Sequence, residues 1–166
     1  MNYFDKSAII IDQICKKTVP GKKMLQKLMY LIERKGVSLE LNYSIHYFGP
    51  YSSKLDNIIH TLESYDQLTI DTSGTTHCIR RGDAPIEGSL NSHDQEKVDY
   101  VLERFLSKSA HELEALTTVD YVANTLLKRR GTDVEIIEKV QEIKGSKFTY
   151  TFLCEELTRL KQLKYI

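Results

Sequence analysis

The sequence predicts a mainly helical protein of the α+β class, with a winged-helix-like core of helices and a small antiparallel sheet followed by a C-terminal helical bundle. Two observations support this prediction. Residues 1–84 show the order helix, helix, strand, helix and hairpin, whereas residues 85–166 show only apolar stripes at helical spacing. We expect the two parts to pack together as one compact domain.

The first two elements are predicted helices. Asp5 to Lys17 carries an apolar stripe and ends at Thr18-Val19-Pro20-Gly21, which a helix would not continue through. Lys22 to Lys35 repeats its apolar residues at helical spacing, and the pattern places Lys27 on the polar side. Gly36 is expected to end this helix as its C′ residue.

A strand from Leu41 to Phe48 is predicted next, because apolar and polar residues alternate there. Gly49 and Pro50 predict a sharp turn, after which Ser52 or Ser53 caps a helix that runs to Tyr65. Gln67 to Arg81 reads as a hairpin, and we expect the strand to pair with it.

The second half is predicted to be helical because N-cap signals precede its apolar stripes. The paired signals are Ser92 with Gln95, Ser109 with Glu112, Thr117 with Asp120 and Thr132 with Glu135, and a last helix is expected from about Thr149. Ser109 to Arg130 also fits a helix-turn-helix in which Lys128, Arg129 and Arg130 touch phosphate. The dipole of the preceding helix explains these three charges better, since they lie at its C-terminal end, whereas a recognition helix usually reads bases from its N-terminal part.

Residues 21–62 carry a family resemblance. LQKLMYLIERKG, a strand ending in HYFGPYSSKL, and the amphipathic helix that follows resemble the Panacea (SocA-like antitoxin) proteins and the YwgA-like proteins. The matching residues are Leu25, Gln26, Lys27, Leu28, Tyr30, Gly36, Tyr47, Gly49, Pro50, Tyr51 and Ser52, and Phe48 stands where the family usually has tyrosine. The resemblance implies a Panacea-type core and an antitoxin-like protein that binds and neutralises a partner protein, such as a cognate toxin, or acts as its adaptor.

Composition bounds the cellular context. The 23 basic and 23 acidic residues balance, so the whole-chain charge favours neither nucleic acid nor an anionic membrane. Three widely spaced cysteines argue against a disulfide framework, and the N-terminus has no signal peptide or membrane span. We therefore expect a cytoplasmic protein that does not bind membranes.

No catalytic or metal-binding motif is present. The sequence lacks the glycine-rich phosphate loops, the nucleophile elbow and the paired histidines that mark common enzyme classes. Its cysteines and histidines never occur at metal-ligand spacing. The sequence therefore predicts a protein that is not an enzyme and has no metal or cofactor.

The aromatic turn is the candidate binding site. We expect Tyr47, Phe48, Gly49, Pro50, Tyr51 and Ser52 to bind a protein partner, since exposed tyrosines with a packed face are enriched at interfaces. The opposing interpretation is that strand alternation buries Tyr43 and Tyr47 while Phe48 and Tyr51 pack the turn. A winged-helix DNA-binding regulator is the alternative function, with Lys22, Lys23 and Lys27 as its nucleic-acid contacts.

Overall fold

The computed structural model describes residues 1–166 and confirms the predicted class. Seven α-helices accompany two separate antiparallel sheets of two strands each. The helices are α1 (Tyr3–Lys17), α2 (Lys22–Arg34), α3 (Ser53–Ser64), α4 (Ser92–Phe105), α5 (Ala110–Tyr121), α6 (Asp133–Lys144) and α7 (Tyr150–Gln162). The strands are β1 (Ser44–His46), β2 (Gly49–Tyr51), β3 (Leu68–Asp71) and β4 (Cys78–Arg81).

The chain divides into two compact units. The first comprises Met1–Tyr43 and Ser52–Ser107, and the second comprises Ser44–Tyr51 and Lys108–Ile166. This division differs from the predicted one after residue 84 in two respects. Helix α4 belongs to the first unit, and the hairpin β1–β2 belongs to the second.

The first unit is built from four helices and one hairpin. Helix α1 packs against α3 and β4, α2 packs against α4, and α3 packs against β3. The winged-helix-like core was predicted from the order helix, strand, helix and hairpin, but the strand of that order pairs with β2 and belongs to the second unit. Strand β3 pairs with β4 from Leu68 opposite Arg81 to Asp71 opposite Cys78, as predicted for this hairpin.

Helix α2 is more deeply buried than its amphipathic pattern predicts. Every residue from Leu25 to Ile32 is buried, including Lys27, which is only 3% exposed. The assignment of Lys27 to a solvent face is therefore wrong. Gly36 has a φ of +111° directly after the C-cap Lys35, and this confirms its predicted role at the helix end.

The predicted long strand from Leu41 to Phe48 is wrong. Only Ser44–His46 is a strand, and it pairs with Gly49–Tyr51 rather than with the hairpin that follows α3. Gly49 and Pro50 therefore lie in β2, and the reversal occurs at the two preceding residues. Proline is tolerated here because a two-stranded sheet has only edge strands.

Backbone conformation before β1 explains why the strand is short. Glu40 and Asn42 have φ values of +52° and +55°, which are incompatible with an extended strand. The N–H groups of Leu39 and Leu41 donate to Oε2 of Glu33 at 3.2 and 3.1 Å, so they are not available to a β-ladder. A side chain on α2 thus replaces the strand partner that the alternation predicted.

The second unit is organised around α5. Helix α5 packs against α6, α7 and β2, and α6 also packs against α7. The predicted break at Thr117 is wrong, because Thr117 lies inside α5 and its Oγ1 donates to the carbonyl of Leu113 at 2.7 Å. Instead of ending there, the helix runs on into a π-helical segment from Val122 to Leu126.

N-cap signals locate most helix starts correctly. Side-chain caps are observed at Ser52, Ser109, Thr132 and Thr149, and Thr132 forms a complete capping box with Glu135. Helix α4 is capped by Asn91 instead of the predicted Ser92. No helix in the protein is long and apolar enough to span a bilayer.

Candidate functional site: an aromatic hairpin tip

The hairpin β1–β2 ends in two aromatic residues. His46 pairs with Gly49, so Tyr47 and Phe48 alone form the loop, which we call the hairpin tip. Tyr47 is 81% exposed and Phe48 39% exposed, and their rings meet edge to face with centroids 4.8 Å apart. Gly49 has a φ of +98°, a backbone conformation that residues other than glycine rarely adopt.

Buried charges fix the backbone of the tip. Nζ of Lys144 donates a hydrogen bond to the carbonyl of Tyr47 and lies 3.4 Å from Oε2 of Glu114. Nζ of Lys147 lies 2.8 Å from the same oxygen. The side chains of Lys144 and Glu114 are 4% and 7% exposed, so water scarcely competes with the contact between these two residues.

Burial also affects the protonation of Lys144. It lowers the pKa of this ammonium below its usual value, the attraction of Glu114 opposes that effect, and the nearby Lys147 adds to it. Two lysines share one carboxylate, which leaves the cluster with a net positive charge. The anchor of the tip is therefore a charge-assisted contact inside the protein.

Lys147 also lies beside the aromatic rings. Its Nζ is 5.2 Å from the ring centroid of Phe48 and 5.9 Å from those of Tyr47 and Phe148. A cation at this distance from a ring is attracted by its π-electrons. Both residues of the tip are thus held by the segment that follows α6.

The rest of the predicted turn is less accessible. Gly49 and Pro50 are buried, and Tyr51 is half-buried with its ring stacked on His46 at a centroid distance of 4.8 Å. The predicted contact surface therefore narrows to Tyr47 and Phe48, and Tyr51 is not the exposed anchor that the sequence suggested. Pro50 and Tyr51 lie in β2 and pair with β1, whereas Tyr47 and Phe48 form the loop beyond the paired residues.

Ser52 has a structural role in the first unit. It is fully buried, its N–H donates to Oε1 of Gln26 at 2.9 Å, and its Oγ accepts from the N–H of Leu55 at 2.9 Å. Its hydroxyl donates to the carbonyl of Leu41. This residue caps α3 and ties it to α2, and its burial does not favour the expected contact with a partner.

The three lysines expected to contact nucleic acid do not share one exposed face. Nζ of Lys22 lies 3.4 Å from Oδ1 of Asp56 and 3.2 Å from Nε2 of His60. Lys27 is buried, and only Lys23 is exposed. The DNA-binding alternative stays a prediction, but this set of residues does not favour it.

Sequence reasoning missed the residues that hold the tip. Lys144 lies 97 positions from Tyr47, and Glu114 belongs to a third element, the middle of α5. Sequence reasoning predicted here only the helix that begins after the cap at Thr132. A helix end does not identify which carbonyl a terminal lysine will bind.

Comparisons with known proteins give one informative match. No family model matches the chain. Over 107 residues the chain is 29% identical to a protein from Thermus aquaticus named DNA ADP-ribosyl glycohydrolase. The match covers 61% of this chain and 30% of the relative, so the chain spans less than a third of the relative's length. This likeness corrects the expectation that the protein is not an enzyme, since the relative is named as one.

Proposed function

We propose that the protein is an antitoxin-like interaction module that binds a partner protein through the hairpin tip. The observation that carries this proposal is the exposure of Tyr47 on a loop whose backbone is fixed by Lys144. An exposed aromatic pair on a loop with a fixed backbone is the kind of surface through which proteins contact one another.

Energetics support a tip of this kind as a binding element. A loop fixed before binding loses little conformational entropy when the partner arrives. Tyrosine adds a large rigid surface and a hydroxyl group, and it is among the residues that most often dominate interface energies. Phe48 extends the apolar surface beside it, and Lys147 adds positive charge at its edge.

The family resemblance supports a toxin as the partner. In Panacea-type proteins the partner is neutralised directly or handed to a protease, and both outcomes begin with a protein contact. All three cysteines are free thiols, which suits the reducing cytoplasm in which we propose that this contact occurs.

Capture of the partner from the native host tests the proposal. Wild-type protein, Tyr47→Ala and Phe48→Ala are used as bait, with Tyr65→Ala as the matched control because Tyr65 is also exposed, at 66%, but lies in the first unit. We expect Tyr47→Ala to weaken binding of the captured protein by about 1–3 kcal/mol in a titration. Equal binding by Tyr47→Ala and Tyr65→Ala would refute the proposed site.

A second candidate function follows from the likeness to the glycohydrolase. The chain would take part in removing ADP-ribosyl groups from DNA, either by itself or within a larger assembly. Incubating the protein with an ADP-ribosylated oligonucleotide and measuring released ADP-ribose tests this directly. Release above the uncatalysed level supports the second candidate, whereas capture of a partner without any release supports the first.

A further inference from the structure

Three consecutive basic residues form an exposed turn after α5. Lys128, Arg129 and Arg130 are all exposed, and none of them pairs with a carboxylate. Two other exposed lysines of the second unit are neutralised locally: Lys139 is paired with Glu142 and Lys161 with Asp133. We call residues 128–130 the basic turn.

The backbone of the basic turn is unusual. It follows the π-helical segment Val122–Leu126, and Lys128 and Arg129 have φ values of +51° and +62°. The N–H of Leu127 donates to the carbonyl of Val122 at 2.9 Å, and that of Arg129 donates to Ala123 at 2.8 Å. Hydrogen bonds thus hold two adjacent side-chain-bearing residues in the left-handed region.

Such a conformation costs free energy unless glycine occupies it. The chain has a glycine only at the next position, Gly131, while long cationic side chains occupy the two strained positions. Strained backbone and π-helical insertions both occur preferentially at functional sites. Exposure, the lack of a paired carboxylate and this backbone conformation together make the basic turn a candidate ligand site.

We propose that the basic turn binds the phosphate backbone of DNA. Arginine presents a planar fork of N–H donors that matches phosphate oxygens, and the compact ammonium of lysine adds a point charge. Contacts of this kind position a protein on nucleic acid without reading its bases. The turn lies at the end of a helix rather than at its start, which also fits backbone contact better than insertion of a recognition helix into a groove.

An anionic membrane is the competing partner for a basic turn. Stable attachment to a bilayer requires an apolar element in addition to charge. The helix that follows the turn, α6, begins with Asp133 and Glu135. A flat anionic lipid surface in contact with the turn would also face these carboxylates and repel them. A DNA backbone is a narrow array of charges that three cations can contact while the neighbouring carboxylates stay clear of it.

Fluorescence anisotropy with a labelled 20-base-pair duplex tests the proposal. The variants are Lys128→Gln/Arg129→Gln/Arg130→Gln and a control of equal charge change, Lys17→Gln/Lys139→Gln/Lys161→Gln. Each phosphate contact contributes about 0.9 to the slope of log K against log salt concentration, so the first variant should flatten the slope by about 2–3. It should also bind roughly tenfold or more weakly at about 50 mM salt, while the control behaves like wild type.

Arg130→Gln serves as a second variant, since Arg130 lies outside the strained positions and its substitution leaves the backbone of the turn unchanged. It should reduce the slope by about 1. Absence of duplex binding by wild type at low salt, equal slopes for the turn variant and the control, or binding of wild type to phosphatidylserine vesicles but not to the duplex would each overturn the proposal. Partner capture through Tyr47 does not depend on these outcomes.

Discussion

At the scale of single residues, Lys144 controls the geometry of the hairpin tip. Its ammonium joins a carbonyl in the exposed loop to a carboxylate in the middle of α5, and the contact with the carboxylate is shielded from water. Buried charges are weak evidence for overall stability, but they specify one arrangement strongly when their partners are in place. The position of Tyr47 therefore depends on a residue that does not touch its ring.

Replacing Lys144 by alanine should loosen the tip. The substitution leaves the Tyr47 carbonyl without its donor and Glu114 with Lys147 alone. We expect a loss of about 1–3 kcal/mol in the free energy of unfolding, measured by urea denaturation. Lys139→Ala is the control, because Lys139 pairs only with Glu142 at the surface and should change stability by about 0.5 kcal/mol or less. Similar losses for the two variants would show that the buried cluster does not anchor the tip.

Cys15 should react slowly with thiol reagents. Burial raises the pKa of its thiol to about 12, with Asp12 adding to the effect and Arg81 opposing it. The thiolate is the reactive species, so alkylation by iodoacetamide at about pH 8 should be far slower than for glutathione. Peptide mass spectrometry measures the rate at this site, and unfolding in urea should restore it. Fast labelling of Cys15 in the folded protein would contradict the burial described here.

At the scale of elements, patterns within one segment predicted structure well. Apolar stripes located the helices, and side-chain caps at Ser109, Thr132 and Thr149 located three of their starts. Alternation in residues 41–48 failed because it cannot reveal that Glu33 binds the N–H groups of Leu41 and of Leu39 just before it. The prediction of a helix start at Thr117 failed because a threonine hydroxyl inside a helix can also donate to the carbonyl four residues before it.

Substitutions in α2 should affect the free energy of unfolding very differently at buried and exposed positions. Leu28 is fully buried, so Leu28→Ala should lower the free energy of unfolding by about 2–5 kcal/mol through the cavity it creates. Lys23 is exposed, and Lys23→Ala should change it by about 0.5 kcal/mol or less. Chemical denaturation decides between these expectations, and equal effects would mean that the faces of α2 have been misassigned.

Glu33 should make stability depend on pH in mildly acidic solution. Burial raises the pKa of this carboxyl group above its usual value, although N–H donors and Lys54 oppose the shift. The folded state then binds more protons than the unfolded state, so the contribution of Glu33 is greatest below about pH 4.5 and falls as pH rises through the folded pKa. Comparing wild type with Glu33→Gln from about pH 4 to pH 7 isolates this contribution. If the stability of wild type relative to Glu33→Gln stays constant or rises with pH, the assignment is contradicted.

At the scale of the whole molecule, function depends on which surfaces long-range contacts leave accessible. The sequence identified the aromatic turn as a candidate site, but not which of its residues are exposed. The pairing of β1 with β2 makes that selection, and Lys144 and Glu114, which are distant in the chain and carry no motif of their own, then hold the tip. The three charges of the basic turn could be read from the sequence, whereas the positive φ values of Lys128 and Arg129 could not.

The most direct test of the central claim is amide hydrogen exchange of the protein alone and with its captured partner. Binding through the hairpin tip should slow exchange in residues 44–51 and in the segment around Lys144 and Lys147, while the hairpin β3–β4 serves as the internal control and stays unchanged. Protection confined to β3–β4 or to the first unit, with residues 44–51 exchanging as in the free protein, would contradict the account.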